Sequence, residues 1–211
     1  MSDNSENLLI IFVKNLIPGA VKTRLAKDIG IDGALDVYKY LVEHTFEVTQ
    51  DLDCAKAVFY SEYVEIEDTW DTEKYKLFVQ KGPDLGDRMM NAFKHGFDKK
   101  FKKVVIIGSD CFELKGTHIE EAFDQLDKND IVIGPATDGG YYLIGMNKLY
   151  PQLFHDKKYS HDKVMMDVLT EIGEMNASFH LLPELNDIDT FQDLKDSDIE
   201  FEFVDPDDAD L

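Results

Sequence analysis

Apolar positions along the chain follow two rhythms. Leu8 to Val13 and Val104 to Gly108 are unbroken apolar runs, as expected of strands covered on both faces. Residues 54–60, 75–80, 131–134, 141–145 and 179–182 read as further strands. Between them the spacing changes to threes and fours. Residues 33–51 carry Leu35, Tyr38, Leu41, Val42, Thr45 and Phe46 at helical spacing. Residues 85–97 place Leu85, Met89, Phe93 and Phe97 on one face. A third helix is expected over 117–126, with Thr117 as cap and Glu120 completing a capping box, and a fourth over 161–173. Strands alternating with helices predict an α/β fold with a largely parallel sheet. The short turn between 131–134 and 141–145 adds one antiparallel connection. No repeat or linker divides the chain, so one domain is expected over 1–198, followed by an acidic tail over 199–211.

Composition narrows the function. A chain of 211 residues with 44% apolar and 11% aromatic content can bury a core. Its net charge of −21 argues against a sequence-independent nucleic-acid binder and against docking on an anionic membrane. The charge is uneven: residues 184–211 hold twelve acids and one base, so the body is only mildly acidic. Among the 22 basic residues only Arg24 and Arg88 are arginines. The polar amino-terminal residues carry no targeting signal, and the apolar run behind them is too short for a membrane span. Cys54 and Cys111 have no metal-ligand spacing. A cytoplasmic protein is expected.

In open α/β sheets, ligands bind beyond the carboxyl ends of the strands, so the segments after each strand carry the candidate chemistry. After the first come Pro18, Gly19, Lys22 and Arg24. Two bases near a helix start oppose the helix dipole and suit an anion, the plainer reading being a solvated helix start. It is neither a Walker A loop nor a dinucleotide fingerprint. After the third comes a Gly82-Pro83 loop with Gly86 and Arg88; Arg88 either faces an anion or pairs with Asp84 at i, i+4. Asp110 after the fourth strand, and Asp189 after the last, are placed to ligate a hard divalent metal or to cap the next turn. Cys111 reads as a packed small residue, and His95 and His161 as helix or surface filler. Asp138-Gly139-Gly140 forms a tight turn or lets backbone approach a ligand, with Asp138 and Tyr141 as polar contacts.

Five segments in order, 18–25 (PGAVKTRL), 84–89 (DLGDRM), 107–111 (IGSDC), 133–145 (IGPATDGGYYLIG) and 187–190 (DIDT), resemble the bacterial DUF2064 family of GT-A-type, glycosyltransferase-like proteins. That family is related to the phospholactate and molybdenum-cofactor guanylyltransferases. The resemblance implies a three-layer α/β/α domain and a Mg²⁺- or Mn²⁺-dependent transferase with a nucleotide donor. It implies binding of nucleotide phosphates by the first loop, with Lys22, Thr23 and Arg24; the loop reading adds Gly19, Gly86 and Arg88 to the expected nucleotide-binding set and makes Lys22, Arg24 and Asp110 the expected catalytic groups. Asp110 and Asp189 would hold the metal, and Asp138, Gly139, Gly140 and Tyr141 would face a small-molecule acceptor. Nucleotidyl transfer from a triphosphate is the leading expectation; glycosyl transfer from a nucleotide-sugar and a non-catalytic nucleotide-binding module are the alternatives. The chain departs from the family at Phe112, where Pro is usual, and at Tyr159-Ser160-His161, where Trp-Ser-Thr is usual.

Overall fold

The computed structural model describes residues 5–66, 68–70, 73–155 and 164–199. Seven strands form one mixed sheet in the order β3-β2-β1-β4-β6-β5-β7. They are β1 (Asn7–Val13), β2 (Ala55–Tyr60), β3 (Tyr75–Val79), β4 (Lys103–Ile107), β5 (Ile131–Pro135), β6 (Tyr141–Met146) and β7 (Phe179–Leu181). Only β6 runs antiparallel, against both β4 and β5. The other pairings are parallel, so the carboxyl ends of six strands open on one edge. The chain steps outward from β1 to β3, then returns to place β4 on the other side of β1. A crevice opens where the strand order reverses.

The period of two explains the three layers. Leu9, Ile11 and Val13 of β1 face one core, with Tyr38 and Val42 of α1 (Ala26–Thr49) and Ile119 and Ala122 of α3 (Gly116–Gln125). Leu8, Ile10 and Phe12 face the other, with Met89 and Phe93 of α2 (Leu85–Asp98) and Val168 and Ile172 of α4 (Val164–Glu174). A smaller cluster packs α1 against α5 (Phe191–Asp196) through Leu25, Val37, Leu41, Ile188, Leu194 and Ile199. Ile199 is 9% exposed and belongs to this core, although the sequence pattern placed it in the tail. Residues 200–211 lie outside the described residues, as does Tyr159-Ser160-His161.

Two helix starts differ from expectation. Helix α1 begins at Ala26 rather than near residue 33, because a short helical turn is joined to the main helix across Gly30, whose φ of 76° breaks the regular backbone. Helix α3 begins at Gly116 with Lys115 at the cap position, so Thr117 lies inside the first turn. The His118 ring Nδ1 accepts from the Lys115 amide at 3.2 Å, taking the place expected of the Thr117–Glu120 pair.

Candidate active site

Side chains that the sequence separates by up to 165 positions are tied together at the open edge. Tyr38, buried in α1, links the ends of β1 and β4. Its hydroxyl accepts from the Lys14 amide at 2.8 Å and shares a hydrogen bond with the Ser109 hydroxyl at 3.0 Å. Burial raises its pKa well above the ordinary tyrosine value, so it stays a neutral strut. Asn15 performs the same task toward β2. Its Oδ1 accepts from the amides of Glu62 and Tyr63 at 3.0 and 3.4 Å, and its Nδ2 donates to the Tyr63 carbonyl at 2.9 Å. At 3% exposure both polar atoms of this amide have partners, and it fixes the segment after β2 beside the one after β1.

After β3 the backbone turns sharply onto α2. Gly82 has φ of 142°, and a Cβ there would come within 2.7–2.8 Å of Asp87 and the Arg88 backbone, so only glycine fits. Asp84 caps the helix by accepting from the Asp87 amide at 2.9 Å. The alternative Asp84–Arg88 side-chain pairing does not form. The Arg88 guanidinium donates instead to the Gly82 carbonyl and to Gln80 Oε1, at 3.2 and 3.3 Å. Gln80 in turn donates from Nε2 to the Phe59 carbonyl at 2.8 Å, anchoring the arginine to the sheet. These partners are uncharged, so the Arg88 charge is presented to the cavity it lines.

The acidic corner lies between β4 and the segment after β7. Lys22 has φ of 47°, an uncommon conformation for a residue with a side chain, and its side chain is 2% exposed. Its Nζ lies 3.0 Å from Asp110 Oδ1. That oxygen has no solvent contact, whereas the Asp110 side chain is 35% exposed, so the rest of the group faces the cavity. Burial acts to raise the Asp110 pKa, yet Lys22 and then Lys14 outweigh it and hold the carboxyl below the usual range. The Ile188 amide donates to the Asp110 carbonyl at 3.0 Å, which brings Asp187 alongside. Burial, then the charges of Asp138 and Asp110, push the Asp187 pKa up to about 7 against the opposing pull of Lys22. Its Oδ1 is buried with no hydrogen-bond partner.

These segments enclose a cavity of about 690 Å³, a volume typical of small-molecule sites. Of the residues singled out from sequence, Arg88, Asp110, Asp138, Gly140 and Tyr141 line it. Lys22 stands behind Asp110. Gly19 (φ 76°) shapes the turn before it, and Gly86 is buried in the first turn of α2. Gly139 supplies φ of 90° for the β5–β6 turn, where Asp138 Oδ1 accepts from the Gly140 amide at 2.8 Å. Thr23 and Arg24 are exposed outside the cavity, and Arg24 Nη1 lies 2.8 Å from Asp189 Oδ2. Cys111 is packed at 5% exposure, with its thiol pushed up to about 12 by burial.

Asp189 therefore does not join Asp110 on the cavity wall; Asp187 does. The signal for this lay in Thr190 and Asp193, which form a capping box that draws the Asp189 amide to Asp193 Oδ2 at 3.1 Å. Lys14, Tyr38, Gln80, Ser109 and Asp187 also line the cavity and were not singled out from sequence. Among the described residues no group of three or more His, Cys, Asp and Glu side chains is arranged to hold a metal. The pair Asp110 and Asp187, with one buried oxygen unpartnered, nonetheless fits Mg²⁺, which takes one or two carboxylates and completes its shell with water and phosphate oxygens.

The family model described as "Uncharacterized protein conserved in bacteria (DUF2064)" matches residues 44–161, more than half of the chain. No curated protein sequence matches. Among solved structures, a candidate nucleotide-diphospho-sugar transferase from Desulfovibrio desulfuricans G20 is similar at 32% identity and a TM-score of 0.82, over 90% of this chain and 85% of that one. CMP:2-keto-3-deoxy-manno-octonic acid synthetase, complexed with CTP, is similar in fold at 9% identity and a TM-score of 0.57, over 91% and 96%. So is 4-diphosphocytidyl-2C-methyl-D-erythritol synthase from Anaerococcus prevotii DSM 20548, at 11% identity and a TM-score of 0.58, over 90% and 92%. Both distant likenesses concern the fold alone.

Proposed function

The chain belongs to the bacterial DUF2064 family, and from that membership and the geometry of its cavity we propose a Mg²⁺- or Mn²⁺-dependent transferase that moves a nucleotidyl group from a nucleoside triphosphate to a small acceptor. The observation that carries this reading is the convergence of Lys14, Arg88, Asp110 and Asp187 on one cavity at the carboxyl ends of the strands. Carboxylates alone would suit a cation and bases alone an anion. Both together suit a metal-bound polyphosphate.

Each residue then has a task that follows from its surroundings. Lys14 and Arg88 bind phosphate oxygens, Arg88 through a fork already oriented by Gly82 and Gln80. Lys22 keeps Asp110 ionised and fixes its direction. Arg24 lies outside the cavity, paired with Asp189, and is given no task in this reading. Asp110 and Asp187 would hold the divalent ion, which supplies charge neutralisation and polarisation of phosphate oxygens when bound. Asp138 and Tyr141 line the side of the cavity from which an acceptor oxygen approaches the α-phosphorus, pyrophosphate being released on the other. Most of the rate enhancement comes from positioning and charge stabilisation.

Glycosyl transfer from a nucleotide-sugar is the second reading, favoured by the 32% likeness to a candidate nucleotide-diphospho-sugar transferase. A panel of nucleoside triphosphates and nucleotide-sugars, each with Mg²⁺ or EDTA, separates the two by thermal shift. At a hundredfold excess over Kd the preferred donor stabilises by about 2.7 kcal/mol. Release of pyrophosphate supports nucleotidyl transfer, and release of a nucleoside diphosphate supports glycosyl transfer. Metal-dependent binding without turnover over a broad acceptor panel would leave a binding module. Asp110→Asn is expected to abolish the metal dependence; if it does not, the metal assignment fails.

A further inference from the structure

The cavity takes its charge from Lys14, Arg88, Asp110 and Asp187. One of its walls lies on the sheet face covered by α2 and α4, where Phe12, Met89, Ile106, Tyr141, Ile144 and Val164 line it. Register places Ile106 opposite Ile144 across the β4–β6 pair, and Phe12 of β1 belongs to the same apolar cluster. The backbone amides and carbonyls here are engaged in the ladders of the sheet. The one polar side-chain atom of these six residues is the Tyr141 hydroxyl, which lies 3.7 Å from Met89 Sδ.

A polyhydroxylated sugar against this wall would exchange its hydrogen bonds to water for contacts that, among the described residues of the wall, return few of them. A hydrocarbon would leave water at no such loss. We infer that the acceptor has a hydrocarbon body, being an alkyl, isoprenoid or aromatic alcohol or the phosphate ester of one, rather than a sugar. The inference rests on the transferase reading above and names the acceptor class for that same site. The hydrocarbon lies against Met89, Ile144 and Val164, and its oxygen points past Tyr141 and Asp138 toward Asp110 and Asp187.

Isothermal titration of the full chain with ethyl, butyl and hexyl phosphate, and with glucose 1-phosphate, tests it. Affinity is expected to rise about fourfold per methylene until the chamber is filled, with hexyl phosphate well ahead of glucose 1-phosphate. Val164→Thr keeps the side-chain volume and adds a hydroxyl to the wall; it should weaken hexyl phosphate about fivefold and leave ethyl phosphate unchanged. A parallel titration with 1-hexanol assigns the free alcohol if it binds with the same Val164 dependence, and the phosphate ester if it does not. A flat chain-length series in the wild-type protein overturns the inference. So does glucose 1-phosphate matching hexyl phosphate, or a chain-length gain that Val164→Thr leaves intact. Mg²⁺-dependent nucleotide binding, measured alongside, keeps the two readings apart. Its loss sinks the transferase reading, whereas a flat series with nucleotide binding preserved sinks only the acceptor class.

Discussion

Two ion pairs join residues 22–24 to aspartates at the strand ends, and they differ in almost everything but distance. Lys22–Asp110 is 3.0 Å long with the lysine side chain 2% exposed; Arg24–Asp189 is 2.8 Å long with side chains 63% and 47% exposed. Contact distance says nothing of their worth. Water screens the outer pair, so it contributes little, whereas removing one partner of the inner pair strands a charge. The inner pair also has a third member, Asp187, which crowds the same corner and, among the described residues, is held by no cation of its own. The inner corner stores electrostatic tension that a ligand can relieve; the outer pair does not.

The largest expected effect probes that tension directly. The folded Asp187 pKa, about 7, is raised above its unfolded value, so the native state binds the extra proton between about pH 4 and 7. Its contribution to stability is complete below pH 4 and is lost as pH rises through 7. Urea denaturation in EDTA should show this slope, and Asp187→Asn should remove it, leaving the variant about 2–4 kcal/mol more stable than wild type at pH 8 and near equal at pH 4. Millimolar Mn²⁺ should flatten the wild-type slope. Equal slopes for both proteins would show that the corner is not crowded.

Next in size, Lys22→Met leaves Asp110 facing Asp187 without its cation and should cost about 3 kcal/mol in urea denaturation at pH 8, less below pH 6 as Asp187 protonates. A loss no larger than that of an exposed pair would erase the contrast between the two sites. Tyr38→Phe removes the hydroxyl shared by the Lys14 amide and Ser109 and should cost about 1–2 kcal/mol. Arg24→Gln should change stability by less than about 1 kcal/mol and lose even that in 0.5 M salt. A larger, salt-insensitive loss would place the outer pair in the same class as the inner one.

How much of this was legible depended on how local its cause is. The apolar runs of β1 and β4 and the helical spacing of α2 are properties of short windows, and they appear where they were expected. The α1 start was misplaced because Gly30 breaks the helix without ending it, and the α3 cap because the His118 ring took the role assigned to Thr117 and Glu120. In the site, Arg88 and Asp110 could be picked out as charged groups just beyond strands. Asp187 and Asp189, two residues apart in one motif, could not be told apart by residue type. Their difference comes from the Ile188 amide bonding Asp110 and from the capping box at Thr190, and both depend on partners placed by other elements.

Residue pattern by itself settled the alternation of strands and helices, the mixed sheet with its antiparallel member, and the edge at which chemistry gathers. Each follows from periodicity and from the direction of parallel strands. Only the tertiary structure decided which charges share a cavity, that Lys22 serves Asp110, that Arg88 turns from Asp84 to Gln80, and that one wall of the cavity is apolar. The physical reason is that a pairing energy depends on burial and on the neighbours across the sheet. Those neighbours are 71 positions apart for Tyr38 and Ser109 and 165 apart for Arg24 and Asp189.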